Sequence, residues 1–375
     1  MRLLGIHGRG WRRLFVALMA AALTTAPSSV AAAEEYHFDA VVFDIAAAPG
    51  GGILVADAYG GTIHEIRRGT SAPLASVPVP GTGDVFPSGV NGLAAIGRGN
   101  FFATTGGGDL AAGAKLWRVS PGEARMVADI EAYEAAHDPD AFVGPQWKDQ
   151  RCEATGGFSA GPQSNPYHPA ALSGGEALVA DAAGNTLLSA RTDGRIEVVA
   201  IFTPPVAGGG ASTDPADWMP LFQLDASTTC FVQPVPTSVA IGPDGAYYVG
   251  ELTGATPDLA DAPGLSRVWR IAPGARNVTC PSAECEMVVS GLTSVIDVEF
   301  GPDGALYVVE WDAAGWLSAL LGAGAGGTVQ RCDVGTGFCG VVAGGLALPG
   351  AIAFDAAGTA WLLENTFAPT VRTLP

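Results

Sequence analysis

One pattern recurs six times along this 375-residue chain: an apolar strand, a turn rich in Gly and Asp, and a second apolar strand ending in a small or acidic residue. The copies occupy residues 41–57, 92–105, 168–181, 237–251, 296–310 and 350–364, and their last residues lie 48, 76, 70, 59 and 54 positions apart. The unit is therefore constant while its connections vary. Most copies continue with a third and a fourth strand, as at 116–119 with 125–128, 186–189 with 196–199, and 268–271 with 287–289. Four antiparallel strands per unit make a propeller blade, which buries its two faces only by stacking on neighbours. Turn chemistry agrees, because Gly242-Pro243-Asp244-Gly245 and Gly301-Pro302-Asp303-Gly304 place Pro and Gly where tight hairpins need a fixed or positive φ.

The expected fold is all-β, one six-bladed propeller of four-stranded antiparallel blades over residues 34–375, with inserts at 131–164 and 203–235. The sixth copy ends at Pro375 with room for only three strands, whereas Glu35-Tyr36-His37-Phe38 precedes the first copy. This N-terminal strand is expected to complete the last blade and close the ring.

Residues 1–33 carry four arginines and no acid, then an apolar run from Leu14 to Ala26, then Ala31-Ala32-Ala33 before Glu34. Basic start, short apolar centre and small-residue end are the parts of a cleavable signal peptide, with cleavage near Ala33 and Glu34. The apolar run falls short of the roughly 20 residues that span a bilayer, so no membrane span is expected and the mature chain is secreted or periplasmic. Arg12-Arg13 also fits a twin-arginine leader, and the choice between the two export routes stays open. Without the leader, 15 basic residues face 37 acidic ones, a net charge of −22. Such a surface repels phosphate backbones and anionic lipid, which excludes nucleic acid and a polybasic membrane anchor as partners. A monomer is expected.

Three stretches carry a family resemblance: Val127-Ala128-Asp129-Ile130-Glu131-Ala132-Tyr133-Glu134-Ala135-Ala136, then Ser164-Asn165-Pro166-Tyr167, then residues 235–254, which open Val235-Pro236-Thr237-Ser238. With them the chain resembles the ScyD/ScyE family of exported bacterial proteins, which are related to NHL-repeat propellers and take their name from scytonemin pigment synthesis. The resemblance implies the fold and export. It implies no reaction and no catalytic residues.

Six cysteines in an exported chain favour disulfides, and none forms a zinc-type C-x-x-C pair. Cys280 with Cys285 and Cys332 with Cys339 each bracket the loop between third and fourth strands, so pairing within each loop is the simplest arrangement. Cys152 would then join Cys230, tying the two inserts together.

Because antiparallel strands alternate direction, both inserts, the ends of the second strands and the starts of the innermost strands share one face. Loops displayed by a rigid scaffold carry function. The candidate binding residues there are Asn91, Asn165, Tyr167, His168, Thr237, Glu251, Asp297 and Glu310. Asp297, Glu251 and Asn165 offer oxygens suited to Ca²⁺ or Mg²⁺, and the distantly similar gluconolactonase-type (SMP-30) propellers imply a metal in this region. The competing structural reading has the acids at 57, 181, 251, 310 and 364 binding loop N–H groups. His168 is the candidate general base, against the alternative of a hydrogen-bonded structural histidine. Tyr167, Trp311 and Trp316 could stack on a ligand or seal the packing. Gly157-Phe158-Ser159-Ala160-Gly161 lacks the strand and helix a nucleophile elbow needs, and the glycine run from Gly322 lacks a phosphate-binding lysine and reads as a mobile loop. Two functions follow: a binding or scaffold module recognising a small molecule, glycan or protein on the insert-bearing face, or a metal-dependent, lactonase-like hydrolase or lyase.

Overall fold

A computed structural model describes residues 34–79, 89–106, 113–142, 162–223, 225–227, 229–254 and 263–374. The expected leader at 1–33, the 157–161 motif and Cys152 lie outside the described residues. The described part is a six-bladed β-propeller whose blades follow the six sequence copies in order. Its innermost strands are Val42–Ala48, Gly89–Gly97, Pro166–Ser173, Pro236–Ile241, Val295–Phe300 and Ala351–Phe354.

Each blade lies between two others, so its strands are apolar on both faces, as in sheets covered on both sides. In blade one Ile53, Leu54, Val55 and Ala56 are all buried; Val55 packs toward blade six while Leu54 and Ala56 pack toward blade two. Six apolar clusters among the described residues each join one adjacent pair of blades, including Val42, Ile45 and Val55 of blade one with Ala351, Trp361 and Leu363 of blade six. The N-terminal strand Glu35–His37 pairs antiparallel with Thr370–Thr373, Tyr36 opposite Val371. Beside it Tyr36 approaches Trp361 of blade six at 6.1 Å between rings, and Phe38 meets His64 of blade one at 5.5 Å.

Cys280–Cys285 and Cys332–Cys339 are disulfides closing the expected loops, and Cys230 is disulfide-bonded as well. The first of these loops holds a strand that sequence reading missed. Val278–Cys280 pairs in parallel with the outer strand Ile196–Phe202, giving blade three a fifth strand borrowed from blade four.

The first insert begins with helix α1 (Ile130–His137), capped by the Asp129 carboxylate on the Ala132 N–H at 3.0 Å. His137 Nδ1 lies 2.9 Å from the Tyr133 carbonyl at the C-terminal end of this helix. Helix α2 (Trp316–Leu320) precedes the glycine run expected to be mobile, and the buried Asp312 carboxylate accepts N–H groups from Ala314 and, within that run, from Ala325 and Gly326 at 2.8–2.9 Å. One carboxylate thus gathers the glycine-rich chain around itself.

Deleting residues 34–38 is expected to lower the melting temperature by about 5 °C or more, given roughly 2 °C per kcal/mol in a domain of this size. An unchanged melt would mean that blade-to-blade packing alone holds the ring shut.

Candidate functional site

Five innermost strands carry a register shift near their start, between Val42 and Ile45, Val90 and Gly92, Pro166 and Pro169, Pro236 and Ser238, and Val295 and Asp297. A bulge re-aims the side chain beside it. Past the shifts, Ile45, Leu93, Pro169, Val239, Val298 and Ile352 pair with the equivalent residue of their second strands. The residues just before them form one layer around the channel: Asp44, Gly92, His168, Ser238, Asp297 and Ala351. Blades one, three and five supply the large side chains, while blades two, four and six supply small ones.

His168 Nδ1 lies 2.9 Å from Asp297 Oδ1, and Nε2 lies 3.4 Å from Asp44 Oδ1 without a hydrogen bond of good geometry. The other oxygen of each aspartate reaches the next blade: Asp44 Oδ2 accepts the Leu93 N–H at 2.6 Å and Asp297 Oδ2 accepts that of Ile352 at 2.8 Å. Gly92 must be glycine, since a Cβ there would lie 2.6 Å from both Pro169 Cδ and the Tyr167 carbonyl. All three ionisable groups are buried. Burial by itself would lower the His168 pKa, but the Asp44 and Asp297 charges and the Asp297 hydrogen bond together hold it at about 9. Burial, offset in part by His168, raises Asp44 to about 7.

The other expected site residues have separate partners. Asn91 Nδ2 donates to Asn165 Oδ1 and to the Pro166 carbonyl, joining blades two and three, and Thr237 Oγ1 donates to Val295 O, joining four and five. Tyr167 stacks on His168 and meets Phe43, which meets Tyr59, so half-buried aromatics line the insert-side mouth. Glu251 is fully buried and accepts Arg267 Nε at 2.7 Å and the Trp269 indole N–H at 2.6 Å. Glu310 accepts the Thr293 N–H, Thr328 Oγ1 and Gln330 Nε2. Asp57, Asp181 and Glu364 likewise accept loop N–H groups. Trp316 is buried, its indole N–H donating to the Thr253 carbonyl.

The expected cation site at Asp297, Glu251 and Asn165 therefore does not fit this geometry. Glu251 spends its lone pairs on a guanidinium and an indole, Asp297 on an imidazole and an amide, and Asn165 on Asn91.

A cavity of about 260 Å³ begins at the His168 layer and runs toward the turns between first and second strands, away from the inserts. The expectation from sequence is the opposite face. Two positions beyond the polar layer, Ala46, Ala94, Ala170, Ala240 and Ala353 stand in corresponding registers with a single acid, Glu299. Desolvation and the nearby Asp297 and Asp44 charges push Glu299 up to about 8. Asp44 and Glu299 were not singled out from sequence. Asp44 had a visible signal, since it sits in its repeat where Asp297 sits in the fifth copy, whereas Glu299 reads as an ordinary strand residue.

No family model and no curated protein matches the chain. Solved structures do. An oxidoreductase described as a glucose dehydrogenase from Thermus thermophilus aligns with a TM-score of 0.50 at 13% identity, covering 91% of this chain and 100% of that one. A gluconolactonase from Xanthomonas campestris aligns with a TM-score of 0.50 at 13% identity over 92% and 90% of the two chains. Virginiamycin B lyase from Staphylococcus aureus gives 0.48 at 13% identity over 92% and 99%. At these identities the likeness shows the fold alone.

A histidine whose folded pKa of about 9 exceeds its unfolded value contributes stability that is complete below about 6.5 and lost as pH rises through about 9. The melting temperature is expected to fall over that window, and His168→Asn to flatten the fall. At neutral pH His168→Ala should cost about 3–5 kcal/mol in chemical denaturation, because it strands two buried carboxylates. A pH-independent melt would refute the ion-paired reading.

Proposed function

We propose that this protein is an exported binding propeller that takes a small neutral or cationic polar molecule into its central channel. The observation that carries this reading is the cavity of about 260 Å³ whose floor is Asp44, His168 and Asp297 and whose wall bears Glu299. Its acids outnumber its one base, which disfavours an anion. A histidine holding its proton at neutral pH is a poor general base, and both aspartates already hold a neighbouring blade. Groups so committed orient a ligand better than they turn one over. Membership of the ScyD/ScyE family, suggested by residues 127–136, 164–167 and 235–254, and export with cleavage near Glu34 belong to the same proposal. The Cys280–Cys285 and Cys332–Cys339 disulfides support an oxidising compartment.

A metal-independent lyase or hydrolase is the second reading, favoured by one observation. His168 and Glu299, at about 9 and about 8, both carry protons at neutral pH and face one cavity, as general acids would.

The test is a small-molecule screen on the mature chain by thermal shift and calorimetry. Ala47→Leu and Ala171→Leu, which narrow the cavity, are expected to weaken binding about tenfold or more with little loss of melting temperature. Affinity for a cationic ligand should rise between pH 7 and 9 as Glu299 ionises, and Glu299→Gln should remove that rise. Binding indifferent to the leucines but lost in Phe43→Ala or Tyr59→Ala would move the site to the insert face. Turnover of the bound compound would establish the second reading instead.

A further inference from the structure

Outside the channel, the first insert carries a cluster of acids that the binding reading does not use. Helix α1 ends at Asp138, whose φ of 45° turns the chain so that its N–H donates to the Glu134 carbonyl. A short 3-10 helix, Pro139–Phe142, follows at once. One carboxylate oxygen each from Glu134, Asp138 and Asp140 thereby comes within 4.8 Å of the others. Glu134 is 1% exposed and Asp140 4%.

These carboxyls are not equally served. Asp140 Oδ2 accepts Asn185 Nδ2 at 2.9 Å. Beside them Asp181 is fully occupied by Ser164 Oγ and by the Asn165 and Gly184 N–H groups. Glu134 Oε2, in contrast, is buried with no hydrogen-bond partner among the described residues. The charges acting most strongly on Glu134 are all negative: Asp181, Asp140, Asp138 and Glu131. A buried carboxylate needs a proton or a cation, and an oxygen ringed by carboxylates is the ligand environment of a hard divalent ion.

We propose that Glu134, Asp138 and Asp140 bind one Ca²⁺, which fastens the first insert to blade three. Ca²⁺ suits the site better than Mg²⁺ because it accepts irregular oxygen sets of about six to eight ligands, where Mg²⁺ demands a near-ideal octahedron. Asn185 extends the effect, since its Oδ1 accepts the Val235 N–H at the end of the second insert. The ion would order both inserts through one residue. This inference is independent of what the channel binds.

The test uses the full mature chain, freed of metal by chelation and titrated with CaCl₂ by calorimetry, with parallel melts. One ion per chain is expected, and about 5 mM Ca²⁺, enough for the weak affinities of extracellular modules, should raise the melting temperature by about 3 °C or more. Glu134→Gln and Asp140→Asn should each weaken Ca²⁺ binding at least tenfold. Glu134→Gln should melt no lower than the metal-free parent, because it removes an unpaired buried charge, and this separates lost binding from lost folding. Asp297→Asn, in the channel, should keep the ion. No heat and no shift at that concentration, or a stoichiometric ion that survives both insert variants, would overturn the proposal.

Discussion

Two of the six blade junctions are tied at the centre by a carboxylate that reaches from one innermost strand to the backbone of the next. Asp44 on the Leu93 N–H and Asp297 on the Ile352 N–H are the two such contacts at the channel layer, and His168 joins them from the third blade. The positive imidazolium is what allows two buried aspartates to sit close together, for unpaired buried charges are costly. The alternation of large and small side chains follows from this junction. Between the converging groups of blades one, three and five stand Gly92, Ser238 and Ala351, and a Cβ on Gly92 would lie 2.7 Å from His168 Cα.

The same economy of acids recurs at the ends of the second strands. Every blade but the second has a carboxylate there, and in place of a shared cation it finds amide N–H groups, side-chain donors or, at Glu251 and Glu364, an arginine. Arg267 is fully buried, and besides Glu251 it donates to the carbonyls of Thr203 and Gly210. It thereby fixes the start of the second insert against blade four. An acid that looks poised for chemistry in the sequence is thus a crossbrace in the structure. Glu299 in the channel wall and Glu134 in the insert stand outside that bracing set.

The repeat, the blade count, the innermost strands and the two short disulfide loops were legible because each depends on neighbours in sequence. Apolar runs buried on both faces, hairpin turns and cysteines five and seven residues apart are local signals. His168 was legible as a residue of interest but not in its role, since its partners lie 129 residues ahead and 124 behind in the chain. Only the ring brings them together. The parallel strand Val278–Cys280 was missed for the same reason, because its partner belongs to another blade.

By itself, then, the sequence determined that the chain folds into stacked four-stranded blades, for periodicity and turn chemistry act over a few residues and need no long-range partner. Tertiary structure decided which acids are braces and which are free, and on which face the channel opens into a cavity. A carboxylate's function depends on what lies within about 4 Å of it in three dimensions, where solvation and Coulomb forces decide.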